Sequence, residues 1–366
     1  MDAEAGPNPD QRAEALAERL FLDSLATLET VAVHLGYRLG LYDSLAGEGP
    51  ATSAVLAGRT GTDERYVREW LEQQAMTGVL EVDDHEAGEA ERVFSLPEGH
   101  ERVLVDRDNA LYLAPLARAT IGALRPIGLL EEAFRTGSGV PYPEYGPDMR
   151  EGLAHLNRAT FVNGLGTRWL PAVPEVHARL SAEEPAWVAD IACGEGWSSI
   201  TIAHHYPNAR VDGFDLDDAS IEAARRNVSE AGLADRVRHF VQDASDPSLS
   251  GTYDLVTIFE AVHDMARPVD ALRNARALLA PGGVLFVADE RVAERFEPTN
   301  DPTERFHYGW SVTHCLPVGR EDEQSAATGT VMRAHVMEAY GLEAGFQSVD
   351  ELAIEHDFWR FYRLTP

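Results

Sequence analysis

The chain of 366 residues contains no lysine, so arginine supplies all 31 of its basic side chains. Acidic side chains number 61, which gives a formal net charge of −30 at pH 7. A surface with this charge repels DNA, RNA and anionic membranes, because each of these partners is itself negatively charged. The composition therefore predicts a protein that binds neither nucleic acid nor membrane.

Cysteine and long apolar runs are also scarce. The two cysteines, Cys193 and Cys315, form neither a metal-ligand spacing nor a disulfide framework. We therefore expect a reducing compartment, the cytoplasm, and no bound metal. No apolar run is long enough to span a membrane, and the acidic first residues are unlike a signal peptide.

Residues 187–199 contain the most informative pattern in the sequence. A mostly apolar run at residues 188–191 predicts a buried strand, and small residues follow at Ala192, Gly194 and Gly196. A helix with apolar periodicity begins at Trp197. A strand, a glycine turn and a helix form the first unit of a nucleotide-binding α/β sheet, in which the turn and the helix N-terminus approach the ligand.

Asp190 lies inside this predicted strand, where a carboxylate is costly unless it has partners. A dinucleotide-binding turn would receive a pyrophosphate here and would have a third glycine at the position of Ser199. An acid favours instead a ligand with a positive group, such as the ammonium group of an amino acid. The cofactor that joins an adenosine to an amino acid is S-adenosylmethionine.

Asp190, Gly194 and Gly196 resemble the first motif of class I S-adenosylmethionine-dependent methyltransferases, which usually has glycine where this chain has Ala192. The resemblance covers roughly residues 187–290. It implies S-adenosylmethionine as the cofactor, bound by the glycine turn and by residues that follow the next strands. The residues that it assigns to the cofactor are Asp190, Ala192, Cys193, Gly194, Gly196, Asp215, Leu216, Asp243, Ala244, Phe259 and Glu260.

Acids follow the second and third predicted strands. Asp215 lies 25 residues after Asp190. This is close to the spacing of roughly 20 at which an acid meets ribose hydroxyls. Its alternative role is a helix cap, which Asp217 or Asp218 can also supply. The family resemblance implies that Asp243 accepts a hydrogen bond from the adenine amino group, and its alternative role is a turn aspartate.

Strand and helix patterns alternate from Trp187 onward, as in a parallel sheet with crossover helices. We predict an α/β fold with a Rossmann-like, doubly wound, mainly parallel seven-stranded sheet, preceded by a mostly helical winged-helix domain. The predicted segments are a flexible tail (1–14), a winged-helix dimerisation domain (15–120), a helical connector or lid (121–180) and a cofactor-binding catalytic domain (181–366).

The first domain shows three helical patterns and two short strands, residues 79–82 and 92–96, which are typical of a winged helix. Acids outnumber Arg65 and Arg68 on its would-be recognition helix, which disfavours DNA binding. The architecture resembles the small-molecule methyltransferases of bacterial secondary metabolism, in which this domain forms a dimer and closes the acceptor pocket. The resemblance therefore implies a homodimer and a small-molecule substrate.

A hydroxyl acceptor also needs a base, and histidine titrates in the useful range. His263 follows the fourth predicted strand and is the predicted catalytic base, with His307 and His314 as further candidates in the insertion at residues 291–329. The alternative for His263 is a packing role or a place at a helix start. The loop at residues 137–147 is either a lid or a surface connection with packed tyrosines.

The predicted function is methyl transfer from S-adenosylmethionine to an oxygen, nitrogen or carbon atom of a small molecule. Two alternatives remain open at this point. The same fold and cofactor can support chemistry other than methyl transfer, because the motifs concern cofactor binding alone. The winged helix also admits a ligand-sensing transcriptional regulator.

Overall fold

The computed structural model describes residues 8–366. The predicted flexible tail lies partly outside this range, and the rest of it is helical. Asn8 accepts a hydrogen bond from the Gln11 backbone N–H, and the Gln11 side chain accepts one from the Asn8 N–H. This capping box, with Pro9 at the first helical position, starts the helix earlier than predicted.

Contacts divide the chain into two compact units, with the boundary between Ile121 and Gly122. The first unit contains α1 (Pro9–Arg38), α2 (Leu41–Glu48), α3 (Ser53–Thr60), α4 (Glu64–Met76), β1 (Glu81–Val82), β2 (Phe94–Ser95), α5 (Glu101–Leu104) and α6 (Ala114–Leu124). Helix α6 crosses the boundary. Strands β1 and β2 pair antiparallel, and an isolated bridge joins Ala51 to Phe94. The first unit thus contains the three predicted helical segments, the first of which is divided into α1 and α2, and the predicted wing.

Helix α1 contacts the other helices of the first unit near its own C-terminal end. The Trp70 indole N–H donates to the Ala32 carbonyl at 2.8 Å. Gly36 lies against the Trp70 and Tyr42 rings, and a Cβ there would fall 2.4 Å from the Trp70 ring. The close approach therefore requires glycine. The preceding turns of α1 are exposed, including Leu16, Leu20, Phe21, Leu22, Leu25 and Leu28.

The second unit contains the remaining elements. They are α7 (Ile127–Thr136), α8 (Gly146–Gly164), α9 (Pro174–Leu180), β3 (Ala186–Ile191), α10 (Trp197–His205), β4 (Ala209–Asp215), α11 (Asp218–Glu230), β5 (Val237–Val241), β6 (Tyr253–Phe259), α12 (Pro268–Ala277), β7 (Leu279–Glu290), α13 (Pro302–Trp310), α14 (Leu316–Gly319), α15 (Ala334–Glu343), β8 (Ser348–Leu352) and β9 (Trp359–Thr365). Among residues 8–366, no helix is both long and apolar enough to cross a membrane.

The seven strands of the second unit form one sheet in the order β5-β4-β3-β6-β7-β9-β8. Strands β3 to β7 are parallel, whereas β9 pairs antiparallel with both β7 and β8. This confirms the predicted mainly parallel, seven-stranded sheet. The chain winds outward through β4 and β5 on one side of β3, then returns to β6 on the other. The carboxyl ends of β3 and β6 therefore form the switch point at which such sheets bind ligands.

Both faces of the sheet are buried. Val188 and Phe286 belong to one apolar core, and their strand neighbours Ala189 and Leu285 belong to a second core. Because successive strand residues point to opposite faces, the two cores lie on opposite sides of the sheet. Helices cover both, which is why these strands lack an alternating polar pattern.

The sequence pattern predicts a helix that runs to Leu279 and is ended by Pro281-Gly282-Gly283, a strand at residues 284–288, and a helix at residues 149–180; the structure differs from all three. Helix α12 ends at Ala277, and strand β7 begins at Leu279, so that Pro281-Gly282-Gly283 lies inside β7. The pairing of β6 with β7 shifts register there, which accommodates the extra residues. The continuous helix predicted for residues 149–180 is interrupted by a π-helical turn at Leu165–Trp169 and a 3₁₀ turn at Leu170–Ala172.

Candidate active site at the carboxyl edge of the sheet

The glycine turn follows β3 directly. Ala192, Gly194 and Gly196 have φ angles of 56°, 51° and 81°. Two glycines adopt this left-handed region without strain, whereas Ala192 is a non-glycine residue in it. The Gly196 N–H donates to the Cys193 carbonyl at 2.9 Å, and α10 starts at the next residue. The turn therefore presents backbone groups and the N-terminus of α10 at the edge of the sheet, as predicted.

Asp190 is fully buried beneath this turn. Its carboxylate accepts hydrogen bonds from Ser198 and Ser199 at 2.6 Å each and from Thr257 at 2.8 Å. Burial raises the pKa of Asp190, and the hydroxyl donors oppose that increase. Asp190 thus connects β3 to the start of α10 and to β6. Its predicted contact with an ammonium group stays a prediction, because hydroxyls surround the carboxylate in this structure.

Replacing Asp190 with alanine should destabilise the second unit by about 3 kcal/mol, because three buried hydroxyls lose their charged acceptor. Urea denaturation followed by tryptophan fluorescence measures this loss. Asp190→Asn keeps one acceptor oxygen and should lose clearly less. Equal stability of Asp190→Ala and the unchanged protein would contradict the structural role of this carboxylate.

Asp215, at the end of the neighbouring strand β4, contacts the glycine turn through its side chain. One carboxylate oxygen accepts the Gly194 N–H at 2.8 Å and the other accepts the Asp217 N–H at 2.9 Å. Burial raises the pKa of Asp215, and these backbone donors oppose the increase. Leu216, the next residue, exposes 72% of its surface. The structure thus brings together the glycine turn, an acid and an exposed apolar side chain.

Asp243 follows β5 on the next strand. The Gln242 N–H donates to the Asp215 carbonyl at 2.8 Å, which places this loop beside Asp215. The Asp243 carboxylate accepts from the Ser245 N–H and hydroxyl, both at 2.7 Å, and lies 3.4 Å from Arg267. The Ala244 carbonyl accepts from the Asn274 side chain. Asp243 therefore forms the turn that was its alternative role, and it is also exposed at the predicted edge.

Glu260 lies at the end of β6 with a φ of 50°, an unusual value for a side chain other than glycine. Its carboxyl oxygens accept from the Trp359 indole N–H at 2.7 Å and from the Asn157 amide at 2.6 Å. Burial raises the pKa of Glu260 to about 7. Phe259, the residue before it, packs in the apolar core. Glu260, with its uncommon backbone conformation, directly follows β6 at the switch point of the sheet.

His263 is buried between two carboxylates. Its Nδ1 lies 2.7 Å from Oδ1 of Asp289, at the end of β7, and its Nε2 lies 3.2 Å from Oδ1 of Asp264. Burial alone would lower the pKa of His263, but the charges of Asp289 and Asp264 raise it well above the usual value. The imidazole is therefore at the predicted edge of the sheet, with a carboxylate beside each nitrogen.

The insertion at residues 291–329 covers this edge with further titratable groups. His307 is buried 3.4 Å from Glu290, and neither of its ring nitrogens has a hydrogen-bond partner among the described residues. Burial lowers the pKa values of His307 and His314 to about 4, and raises that of Cys315 to about 12. Unpartnered buried nitrogens are costly, so they indicate a place that a ligand can occupy.

The loop at residues 137–147 packs against the same insertion. The buried Tyr145 hydroxyl donates to the Thr313 carbonyl at 3.0 Å, and its ring meets the His314 ring at a centroid distance of 4.7 Å. Burial, followed by the charges of Asp215 and Asp217, raises the pKa of Tyr142. The tyrosines are thus packed, and Tyr142 lies near the acid that closes the glycine turn.

Several residues of this site were not predicted from the sequence. Asp289 and Glu290 follow an apolar strand as Asp215 does, so the same pattern could have identified them. Cys315 had no such signal, because its neighbours His263 and Asp264 are distant in the sequence. The interaction of Glu260 with Trp359 likewise depends on the antiparallel strand β9, which returns to the sheet after the insertion.

The arginines of the winged helix are already paired. Arg65 lies 2.5 Å from Glu69, Arg68 lies 2.6 Å from Glu89 in the wing, and Arg92 lies 2.6 Å from Glu72. These ion pairs occupy the positive groups that a phosphate backbone would need. That this face does not bind DNA stays a prediction.

Two family models match the chain. Residues 189–285 match a methyltransferase domain, and residues 26–106 match an Rv2258c-like winged HTH domain. The matches confirm the resemblance drawn from the glycine turn and the predicted winged helix.

Curated relatives are similar over shorter stretches. The ubiquinone biosynthesis O-methyltransferase of Pseudomonas aeruginosa (strain UCBPP-PA14) is 28% identical over 127 residues, which are 35% of this chain and 51% of that protein. The ribosomal protein uL3 glutamine methyltransferase of Neisseria meningitidis serogroup B is 40% identical over 67 residues, 18% of this chain and 22% of that protein. The chain spans about half or less of the length of these relatives.

Solved structures are similar over almost the whole chain. The mitomycin 7-O-methyltransferase MmcR has a TM-score of 0.69 and 22% identity, covering 97% of this chain and 99% of that one. Human N-acetylserotonin methyltransferase in complex with SAM has a TM-score of 0.69 and 16% identity, covering 99% of both. NcsB1 from neocarzinostatin biosynthesis, bound to S-adenosyl-L-homocysteine and 1,4-dihydroxy-2-naphthoic acid, has a TM-score of 0.60 and 18% identity, covering 92% and 95%. These likenesses establish a shared fold.

Proposed function

We propose that this chain, which carries a methyltransferase domain behind a winged-helix domain, transfers a methyl group from S-adenosylmethionine to a small molecule. The observation that carries the proposal is the contact of Asp215 with the Gly194 N–H at the switch point of the sheet. It fixes an acid beside a glycine turn, where a ribose can meet the carboxylate and an amino-acid group can meet the turn.

The charges around the turn favour this cofactor over a dinucleotide. Asp190 lies near the carboxyl end of β3, Asp215 ends β4 and Asp243 follows β5, and such a set of acids repels a pyrophosphate. S-adenosylmethionine carries a sulfonium and an ammonium group, both positive. The exposed Leu216 side chain offers an apolar surface for an adenine ring. Human N-acetylserotonin methyltransferase and NcsB1, which share this fold, are solved with SAM and with S-adenosyl-L-homocysteine, respectively.

We place the acceptor at the ends of β6 and β7, beneath the insertion and the loop at residues 137–147. His307 and His314 have buried nitrogens without hydrogen-bond partners there, and a polar acceptor could satisfy them. The loop, which packs on the insertion through Tyr145, has the position of a lid. The acceptor atom is an oxygen, a nitrogen or a carbon.

We propose that His263 takes part in turnover, and the geometry restricts which of its ring nitrogens can do so. Its Nδ1 is engaged by Asp289, so that only Nε2 can act on an acceptor, and Asp264 lies beside Nε2. Methyl transfer is an in-line displacement, and much of its rate comes from positioning. The His263–Asp289 pair supplies a fixed polar surface for that purpose.

The proposal is tested by incubating the full chain with S-adenosylmethionine and a panel of phenols, amines and carbon acids. Mass spectrometry should detect S-adenosylhomocysteine and an acceptor heavier by one methyl group. Bound cofactor that is consumed without methylated product would favour the alternative of other chemistry on this fold. Salt-sensitive retardation of DNA in a gel would favour the regulator.

We also propose a homodimer in a reducing compartment, the cytoplasm. Both cysteines are buried free thiols, as a reducing compartment permits. The exposed leucines of α1 form an apolar surface larger than a lone helix usually shows to water. A second copy of the chain is the occupant that the family resemblance implies.

The homodimer predicts a specific result for charge insertion into α1. The double variant Leu20→Glu and Leu28→Glu should sediment as a monomer, because two charges enter the apolar interface of each copy. Ala26→Glu adds a charge at an exposed position on the opposite face of the same helix and should remain dimeric. A chain that sediments as a monomer before any substitution would refute the proposal.

A further inference from the structure

We propose that Glu290 and His307 form a subsite that selects acceptors carrying a protonated amine. Glu290 ends β7, and His307 lies on α13 in the insertion, with its Nδ1 3.4 Å from Oε2 of Glu290. The subsite lies in the place given above to the acceptor, so this inference rests on the proposed function. It concerns recognition of the acceptor and adds no step to methyl transfer.

Glu290 is a buried carboxyl group without a hydrogen-bond donor. The residue exposes 9% of its surface, and within residues 8–366 no group donates a hydrogen bond to its carboxyl oxygens. The neighbouring Glu260 differs, because it accepts from the Trp359 indole and the Asn157 amide. A buried carboxyl group that the fold leaves without a donor is costly, which indicates that a ligand supplies the donor.

His307 contacts Glu290 and has unused nitrogens of its own. Its side chain exposes 1% of its surface, and neither ring nitrogen has a hydrogen-bond partner among the described residues. Burial lowers the pKa of His307 to about 4, so the imidazole is neutral at pH 7 and keeps one nitrogen that can accept a hydrogen bond. Glu290 and His307 are close enough for one donor group of a ligand to contact both.

The charges around Glu290 favour a cation. Three carboxyl groups and one imidazole act on it most strongly, namely those of Glu260, Asp264, Asp289 and His263. Burial, followed by the charge of Glu260, raises the pKa of Glu290 well above its usual value. A positive ligand group opposes this effect, because it stabilises the ionised carboxylate. A carboxylate or phosphate on the acceptor would instead be repelled by the same acids.

An ammonium group suits these partners better than a hydroxyl group. It has three N–H donors, whereas a hydroxyl has one. Hydrogen bonds between charged partners are also roughly twice as strong as those between neutral partners. Oδ2 of Asp289, the residue next to Glu290, is a further buried acceptor without a partner among the described residues. A ligand group with several donors and a positive charge therefore matches the unsatisfied acceptors of this cluster.

The subsite makes no use of His263. The Nδ1 of His263 is engaged by Asp289, and its Nε2 lies beside Asp264. An amine bound between Glu290 and His307 leaves this arrangement unchanged. The amine is thus a recognition group, separate from the acceptor atom that receives the methyl group.

The test compares three phenols of nearly the same size, which are tyramine with a positive charge, para-ethylphenol with none and phloretic acid with a negative charge. The probes are aromatic because the rings of Tyr142, Tyr145 and Trp310 lie around His314 in the insertion. Calorimetry on the full chain, with and without S-adenosylhomocysteine, measures their binding. Tyramine should bind at least about tenfold more tightly than either of the others, the scale of a hydrogen bond to a charged group.

Glu290→Gln removes the charge with little change in volume. It should weaken tyramine binding by at least about tenfold and leave para-ethylphenol binding unchanged. Glu323→Gln, the same change at an exposed glutamate of the insertion, should keep the preference for tyramine. If Glu290→Gln does not fold, as judged by circular dichroism, His307→Phe provides a second variant. It keeps a buried ring, removes both nitrogens and should also reduce the preference for tyramine.

The proposal is overturned if the unchanged chain binds no tyramine, or if it binds para-ethylphenol or phloretic acid as tightly. It is also overturned if the preference for tyramine survives both Glu290→Gln and His307→Phe. These measurements record binding and not turnover, so they are independent of the methyl-transfer assay. A chain that binds tyramine through Glu290 but methylates no compound would refute the proposed function and leave the subsite standing.

Discussion

Replacing His263 with alanine should lower the turnover number by roughly a hundredfold or more, the scale of a lost general base or acid. The affinity for S-adenosylmethionine should be nearly unchanged, because His263 lies at the ends of β6 and β7 and not on the glycine turn. Steady-state kinetics and calorimetric titration with the cofactor measure the two quantities separately.

A matched control for this variant is His204→Ala, at an exposed histidine on α10. It removes an imidazole without touching the buried cluster and should retain normal turnover. If His263→Ala also retains normal turnover, the histidine serves packing only. If cofactor binding falls together with turnover, the substitution has disturbed the whole edge of the sheet, and the role assigned to His263 fails.

Asp215→Ala should weaken S-adenosylmethionine binding by about 1.5–3 kcal/mol, the cost of losing hydrogen bonds to a charged group. This corresponds to a roughly ten- to hundredfold increase in the dissociation constant. The carboxylate is expected to accept from the ribose hydroxyls, and it also holds the Gly194 N–H in place. Calorimetry with S-adenosylhomocysteine gives the same comparison without turnover.

Asp218→Ala is the control for Asp215→Ala, since it removes the same charge from an exposed position three residues away. It should bind the cofactor as tightly as the unchanged chain. An Asp215→Ala variant with full affinity would sink the assignment of this residue to the ribose. A loss of affinity in both variants would indicate a general effect of charge and not a specific contact.

The alternation of strands and helices made the sheet predictable, because apolar runs on buried parallel strands are long and unambiguous. The start of α1 was predicted too late, although Asn8 and Gln11 form a capping box in the sequence itself. The position of Pro281-Gly282-Gly283 inside β7 could not be predicted. These residues usually end a helix, whereas here they lie within a strand.

The cofactor edge was more predictable than the acceptor edge. Asp190 and Asp215 lie near the carboxyl ends of β3 and β4, and the turn between them is local in sequence. The environment of Asp190 could not be anticipated in full, since one of its three hydroxyl donors comes from β6. The groups around His263 come from β7 and the insertion, and no periodic pattern reports such distant contacts.

The two edges are built from separate parts of the chain. The turn and the acids that we propose for the cofactor lie at the carboxyl edges of β3, β4 and β5, whereas the buried histidines, acids and thiol belong to the ends of β6 and β7 and to residues 291–329. Acceptor preference could therefore diverge among related chains while cofactor use stays constant. Exchange of the insertion between relatives is consequently a route to new acceptors that leaves the donor unchanged.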